Sequence, residues 1–158
     1  MIFVTVGGQM PFDRLISVVD RWAAETGRQD VFAQIGSSDL KPSNIETAPF
    51  LSPEDFRKKV DDAKVIVSHA GMGSILTALE LGKPILVMPR RAKFRETRND
   101  HQVATADRFR RQGLVSVADD ENDLLECLRT VDELRGGTTI ENRASGRLLE
   151  AIREFVDA

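Results

Sequence analysis

The chain has 158 residues, with 22 Lys+Arg against 25 Asp+Glu for a formal charge of −3, and is 41% apolar and 30% charged. That length suits one domain with a full core, the balance excludes a disordered or fibrous chain, and slight acidity gives no support to a general nucleic-acid binder. Cys127 is the single cysteine, which rules out an intrachain disulfide; with no run near the roughly 18 apolar residues of a membrane span and no secretory leader in residues 1–6, a soluble cytoplasmic domain is expected.

Ile2-Phe3-Val4-Thr5-Val6 is short, nearly all apolar, and ends at Gly7-Gly8. Such a run reads as a strand buried on both faces of a parallel sheet. Phe12, Leu15, Ile16, Val19, Trp22 and Ala23 then recur at helical spacing, with Pro11 placed as the first helical residue and Gly27 at the exit. Val31-Phe32-Ala33-Gln34-Ile35 predicts a second strand ending at Gly36-Ser37-Ser38, and 41–49 has room for a short third. Ser52-Pro53-Glu54-Asp55 reads as a helix start, with a hydroxyl cap, proline at the first position and acids in the first turn. Lys64-Val65-Ile66-Val67-Ser68 predicts a strand that runs into His69-Ala70-Gly71-Met72-Gly73-Ser74. A helix from about Ser74 to Leu81 closes at Gly82, and Pro84 bars its continuation.

Ile85-Leu86-Val87-Met88 is the next buried strand, followed by a basic loop over 90–98, a helix over 99–112 and a last strand over 114–117. Helices over 122–131 and 139–156, divided by Gly136-Gly137, complete the pattern. Strands alternating with helices in this way imply right-handed crossovers and a mostly parallel sheet covered on both faces. The expected fold is therefore α/β: a single Rossmann-like domain over 1–158. Ligands in such sheets bind beyond the carboxyl ends of the strands, so the loops 7–9, 36–38, 68–74 and 90–102 carry the interest.

Between a strand and a helix, Gly71 and Gly73 remove side chains where a ligand or neighbouring backbone comes close, and the helix beginning near Ser74 directs unpaired N–H groups at the gap. The turn reads as an anion site, with a diphosphate the anion in view, or as a tight turn in which Ser74 caps its own helix. It lacks both the P-loop ending and the full dinucleotide fingerprint. His69 can bond a phosphate or a sugar hydroxyl, act as a general base, or simply bond nearby backbone. His69 and His101 are the only histidines, and no cysteine or carboxylate stands at ligand spacing, so no metal site is expected.

Arg90, Arg91, Lys93, Arg95 and Arg98 surround one acid, Glu96. They can neutralise a diphosphate, meet an acidic membrane surface, or form a solvated loop. Asn99-Asp100-His101-Gln102 either caps a helix or grips sugar hydroxyls, and Gly7-Gly8-Gln9 either approaches a phosphate or makes a turn. Asp119-Asp120-Glu121 supplies first-turn charge, and Cys127 reads as packing.

Taken together, Val4-Thr5-Val6-Gly7-Gly8-Gln9 with Pro11-Phe12-Asp13-Arg14-Leu15, then Ser68 through Ser74, Gly82-Lys83-Pro84 with Met88-Pro89-Arg90-Arg91, and Asn99-Asp100-His101-Gln102 resemble the nucleotide-sugar-binding domain of the glycosyltransferase family 28 group. Within it, the small catalytic subunits of two-subunit glycosyltransferases are most similar, of the exopolysaccharide and capsule type or the dolichol-linked N-acetylglucosaminyltransferase type. The resemblance implies the C-terminal half of a GT-B fold and a UDP-sugar donor held without metal or other cofactor. It implies that His69, Gly71, Met72, Gly73 and Ser74 face the diphosphate, that Asn99, Asp100, His101 and Gln102 face the sugar, and that Gly7, Gly8 and Gln9 line the cleft. The charge that develops on the diphosphate is expected to be met by one or more of Arg90, Arg91 and Arg95.

The implied partners are a membrane-anchored acceptor-binding subunit and a lipid-linked acceptor at the cytoplasmic face, with His69 a candidate base. A non-catalytic nucleotide-binding module that recruits a separate transferase is the alternative reading. Many relatives carry a ribose-holding carboxylate three residues after the serine, where this chain has Thr77, and many have Thr where it has Gly8. Those changes favour the exopolysaccharide branch.

Overall fold

In the computed structural model, residues 1–8 and 10–135 are described. The sheet has six strands, β1 (Ile2–Thr5), β2 (Val31–Gln34), β3 (Glu46–Ala48), β4 (Val65–His69), β5 (Ile85–Met88) and β6 (Ser116–Val117), in the order β3-β2-β1-β4-β5-β6. All five pairings are parallel. The chain steps outward from β1 to β3, then returns past β1 to build β4, β5 and β6. The order therefore reverses between β1 and β4, and the crevice beyond their carboxyl ends is where such a sheet receives a ligand.

Both faces of the sheet are covered at its centre, which is why β1, β2, β4 and β5 read as mostly apolar runs. Ile2, Val4, Val67 and Met88 pack with Leu15, Val19 and Trp22 of α1 (Asp13–Thr26) and with Leu124 and Leu128 of α5 (Glu121–Arg129). Phe3, Ile66 and Val87 turn the other way. They pack with Val60 of α2 (Pro53–Asp62), Ile75 and Leu79 of α3 (Met72–Glu80), and Phe109 of α4 (His101–Arg111).

The helix starts differ from the sequence pattern in three places. Pro11 stays outside α1, and fully buried Phe12 takes the N-cap position, its carbonyl accepting from the N–H groups of Leu15 and Ile16. Helix α3 begins at Met72, with Gly71 extended at its N-cap, so Ser74 lies inside the first turn and does not cap it. Helix α4 begins at His101: Asn99 Oδ1 accepts from the His101 N–H at 2.9 Å, and Asp100 Oδ1 accepts at 3.0 Å from Ala92 in an unforeseen 3₁₀ turn, Ala92–Phe94. Ser52 caps α2 as expected, accepting from the Asp55 N–H. Lys83 closes that helix by donating to the carbonyls of Asp61 and Ala63. The predicted helix over 139–156 and the Gly136-Gly137 break lie outside the described residues. Among the described residues no helix is long and apolar enough to cross a membrane.

Candidate functional site

Loops after β1, β3, β4 and β5 converge at the reversal point. Buried Thr5 donates its hydroxyl to Gln34 Oε1 at 2.6 Å and accepts the Gly7 N–H at 3.2 Å. Gln34 Nε2 donates to the carbonyls of Gly7 at 3.0 Å and Pro49 at 2.9 Å. One buried amide thus joins the loop after β1 to the segment after β3, with every polar atom it buries satisfied.

His69 ends β4 with its ring slotted between two glycines. A Cβ at Gly7 would stand 2.5 Å from His69 Nε2, and one at Gly71 would stand 2.1 Å from Cε1. Gly7 also has φ +77°, where other residues are strained. Gly8 and Gly73 are different: a Cβ there meets nothing within 4 Å. His69 Nδ1 lies 3.0 Å from Gln102 Nε2, and Nε2 lies 3.4 Å from Ser74 Oγ. Gln102 Oε1 accepts from the backbone of Ala70 at 3.2 Å and Arg90 at 3.1 Å.

Burial, helped by the nearby Arg90 charge, lowers the His69 pKa from 6.5 to about 3. The unfolded chain therefore takes up a proton below about pH 6.5 that the folded chain refuses until about pH 3. This contribution to stability is complete above the higher value and fades as pH falls. Between pH 7 and pH 5 the unfolding free energy is expected to drop by about 1–2 kcal/mol, allowing for the ring edge that meets solvent. Urea titrations of wild type and His69→Gln check this, since the variant is expected to lose that slope.

The site opens into a cavity of about 550 Å³. Gly7, Gly8, His69, Gly71, Met72, Gly73, Ser74 and Gln102 form one side; Phe50, Leu51, Pro53 and Phe56 form an apolar wall. Phe50 is 56% exposed, a free aromatic face at the cavity rim, while Phe56 is set edge-on against Phe3 at 5.5 Å. The first turn of α3 borders the same space, bringing unpaired N–H groups and the positive end of the helix dipole to it. Thr77 also lines the cavity, its hydroxyl donating to the Gly73 carbonyl at 2.9 Å. Glu80 turns outward toward Arg57, 3.5 Å away.

The basic loop divides. Arg90, expected as a loop cation, is 4% exposed and points inward. Its guanidinium donates to the carbonyls of Val6, Met10, Pro11 and Glu96. It does not line the larger cavity but borders a smaller one of about 70 Å³, shared with Gly8, Met10, Thr97, His69 and Gln102. Burial lowers its pKa, opposed by the charge of Glu96. Glu96 is equally committed: Arg14 donates to it twice at 2.9 Å, and the Arg91 N–H once at 3.1 Å. The Arg14 guanidinium lies over the Phe94 ring at 4.6 Å.

Arg91 donates to the Asp119 carbonyl at 3.0 Å and lines neither cavity. Asn99, Asp100 and His101 are exposed and line neither, so Gln102 alone of that motif reaches the site. Gln9 lies outside the described residues. Gln34, Phe50, Leu51, Pro53 and Phe56 escaped the sequence reading. Gln34 did leave a trace, as a polar residue ending an apolar strand.

Residues 1–137 match the glycosyltransferase family 28 C-terminal domain. The UDP-N-acetylglucosamine transferase subunit ALG13 of Homo sapiens is 30% identical over 122 residues, 71% of this chain but 10% of that protein. Its counterpart in Yarrowia lipolytica is 26% identical over 77% of this chain and 67% of that protein. Among solved structures, the NMR solution structure of ALG13 matches with TM-score 0.64 at 22% identity, covering 94% of this chain and 93% of that one. Os79 from O. sativa, in complex with UDP, matches at 0.63 and 16% identity over 96% of this chain and 34% of that one. The fold is that of the C-terminal half of GT-B glycosyltransferases. The chain, its sheet reversing at a glycine-lined crevice, belongs to the glycosyltransferase family 28 C-terminal domain family.

Proposed function

We propose that this chain is the donor-binding subunit of a two-chain glycosyltransferase that uses a UDP-sugar. The observation that carries the reading is the His69 slot at the sheet reversal, opening on a cavity of about 550 Å³ with a helix N-terminus on one side and an apolar wall on the other. The apolar wall suits a base, with Phe50 as a stacking platform. The α3 first turn and His69 suit the diphosphate, and the open space at Gly8 leaves room for sugar and acceptor. The name carried by the ALG13 relatives supports a UDP-sugar donor and subunit status.

Transfer with inversion joins the acceptor hydroxyl oxygen to the anomeric carbon while the bond from that carbon to the diphosphate oxygen breaks. The electron pair leaves with UDP, and the hydroxyl proton passes to a base. The N–H groups at the start of α3 are aimed where the leaving charge develops, so the reading requires no resident metal. The described residues build one wall of the cleft. The other wall is assigned to a membrane-anchored partner subunit that presents a lipid-linked acceptor at the cytoplasmic face.

The sugar is a hexose or hexose derivative, and the pathway is exopolysaccharide or other cell-surface polysaccharide synthesis. Calorimetric titration with UDP, GDP, dTDP and UDP-N-acetylglucosamine, with Mg²⁺ or with chelator, tests the donor site. UDP is expected to bind at least about tenfold more tightly than GDP, a gap of ~1.4 kcal/mol, regardless of Mg²⁺. Binding of GDP without UDP overturns the assignment. In the reconstituted two-chain enzyme His69→Ala is expected to lose turnover, whereas a mere recruiter retains it.

A further inference from the structure

We infer that Gln102 is a positioning residue that fixes His69 as its Nε2–H tautomer, so that the ring presents a hydrogen-bond donor, and not a base, to the cavity. The argument starts from two backbone groups. The N–H groups of Ala70 and Arg90, just beyond β4 and β5, both converge on Gln102 Oε1, at 3.2 and 3.1 Å. An amide oxygen accepts and an amide NH₂ group only donates. Turning the Gln102 amide over would therefore set its NH₂ against two N–H donors, and the network fixes its orientation.

With the oxygen fixed, Gln102 Nε2 faces His69 Nδ1 at 3.0 Å. The amide nitrogen donates, so Nδ1 offers its lone pair and carries no proton. The single proton of the neutral ring then resides on Nε2. Turning the ring over would set a carbon against the amide and give up this bond. Protonating Nδ1 would set N–H against N–H, so the imidazolium is disfavoured too. Burial and the guanidinium of Arg90 act in the same direction, and Glu96, the nearest acid on that loop, is paired with Arg14.

Nε2 lies 3.4 Å from Ser74 Oγ, too long for a good bond, and its proton is available to an acceptor in the cavity. On the reading of this cavity as the diphosphate site, on which this step rests, that acceptor is a phosphate oxygen. Nε2 then carries a proton and the Nδ1 lone pair is held by the Gln102 amide, so neither ring nitrogen is free to take the proton of the acceptor hydroxyl, and that proton passes to a group on the partner's side of the cleft. Gln102 is similarly filled. Its oxygen already takes two bonds, leaving one amide hydrogen for a sugar hydroxyl.

The test begins with the unliganded wild-type chain, ¹⁵N-labelled on histidine. Long-range ¹H–¹⁵N correlation at pH 7 is expected to show His69 Nδ1 as the unprotonated nitrogen and Nε2 as the protonated one. Protonation of Nδ1 overturns the proposal, whether or not the chain binds any nucleotide. Gln102→Glu supplies the second reading. Its carboxylate can still accept from Ala70 and Arg90, but toward the ring it also only accepts, so the proton is expected to move to Nδ1.

Nε2 of that variant is then an acceptor once the ring is neutral and repels the diphosphate. Affinity for UDP-N-acetylglucosamine, whose diphosphate does not itself titrate near neutrality, is expected to fall about tenfold or more from pH 6 to pH 8 in Gln102→Glu and to stay flat in wild type. An unchanged ring tautomer in Gln102→Glu overturns the proposal. Gln102→Met, which removes the same backbone bonds without a carboxylate, is expected to lose stability but to show no such pH dependence. The same pH dependence in Gln102→Met would likewise overturn it. Failure of both proteins to bind any UDP-sugar counts against the donor site and leaves the tautomer assignment to the spectrum.

Discussion

Replacing Arg90 by methionine is expected to lower the unfolding free energy by about 3–5 kcal/mol and to abolish UDP binding in whatever protein remains folded. The guanidinium gathers the carbonyls of Val6, Met10, Pro11 and Glu96, which belong to loops on opposite sides of the crevice. Methionine fills a similar volume but leaves those carbonyls without their donor, and each buried acceptor so orphaned costs roughly 1–3 kcal/mol unless water reaches it. Lysine is expected to recover only part of the loss, because one ammonium cannot reproduce the planar fork that serves both loops. Urea unfolding paired with calorimetry measures both effects. A stability within about 0.5 kcal/mol of wild type, the range of an ordinary surface substitution, would show that Arg90 is no brace.

Gly71→Ala is the second large effect. The backbone at Gly71 has φ −81°, which alanine adopts freely, so no backbone strain enters and the change tests a collision beside the smaller cost of alanine at the α3 N-cap. The new methyl would stand 2.1 Å from His69 Cε1 and 2.5 Å from Nε2, and Gly7 closes the other side of the ring. The imidazole must leave its slot and break its bond with Gln102, at an overpacking cost of about 1–3 kcal/mol. UDP affinity is expected to fall about 100-fold, or ~2.7 kcal/mol, and the His69 ring resonances to shift. In a His69→Ala background the same methyl meets an empty slot, and Gly71→Ala is expected to keep only the N-cap part of its cost, under about 1 kcal/mol. A full cost of Gly71→Ala in that background would place its effect elsewhere.

The inner strands were legible because both faces of the sheet are covered there, so they wrote short, mostly apolar runs; Ile85-Leu86-Val87-Met88 is buried throughout, whereas β3, Glu46-Thr47-Ala48, wrote none. The glycine turn after β4 was legible for a similar local reason, since only a close approach requires glycine at Gly71. What failed was anything decided across the sheet. Ser74 looks like a cap by its position, but Gly71 takes that place and Ser74 turns to His69. Arg90 sits in a run of cations and reads as one of them. Its partners Val6, Met10 and Pro11 lie about eighty positions away, and nothing in the adjacent residues announces them.

The motif Asn99-Asp100-His101-Gln102 misled in the same way. Four polar side chains in a row point in different directions at a helix start, and only Gln102 falls on the inward side. Phe50, Leu51, Pro53 and Phe56 look like a helix entry with ordinary core residues. Their place beside the cavity depends on Gln34 drawing Pro49 toward Gly7.

The two outermost strands have a consequence of their own. At three residues for β3 and two for β6, each rim presents very few unpaired peptide groups, too few to template a further strand from another molecule. Ribbon-like stacking of copies through these borders is thereby discouraged, and a companion chain has to grip side chains and turns to find purchase on this sheet.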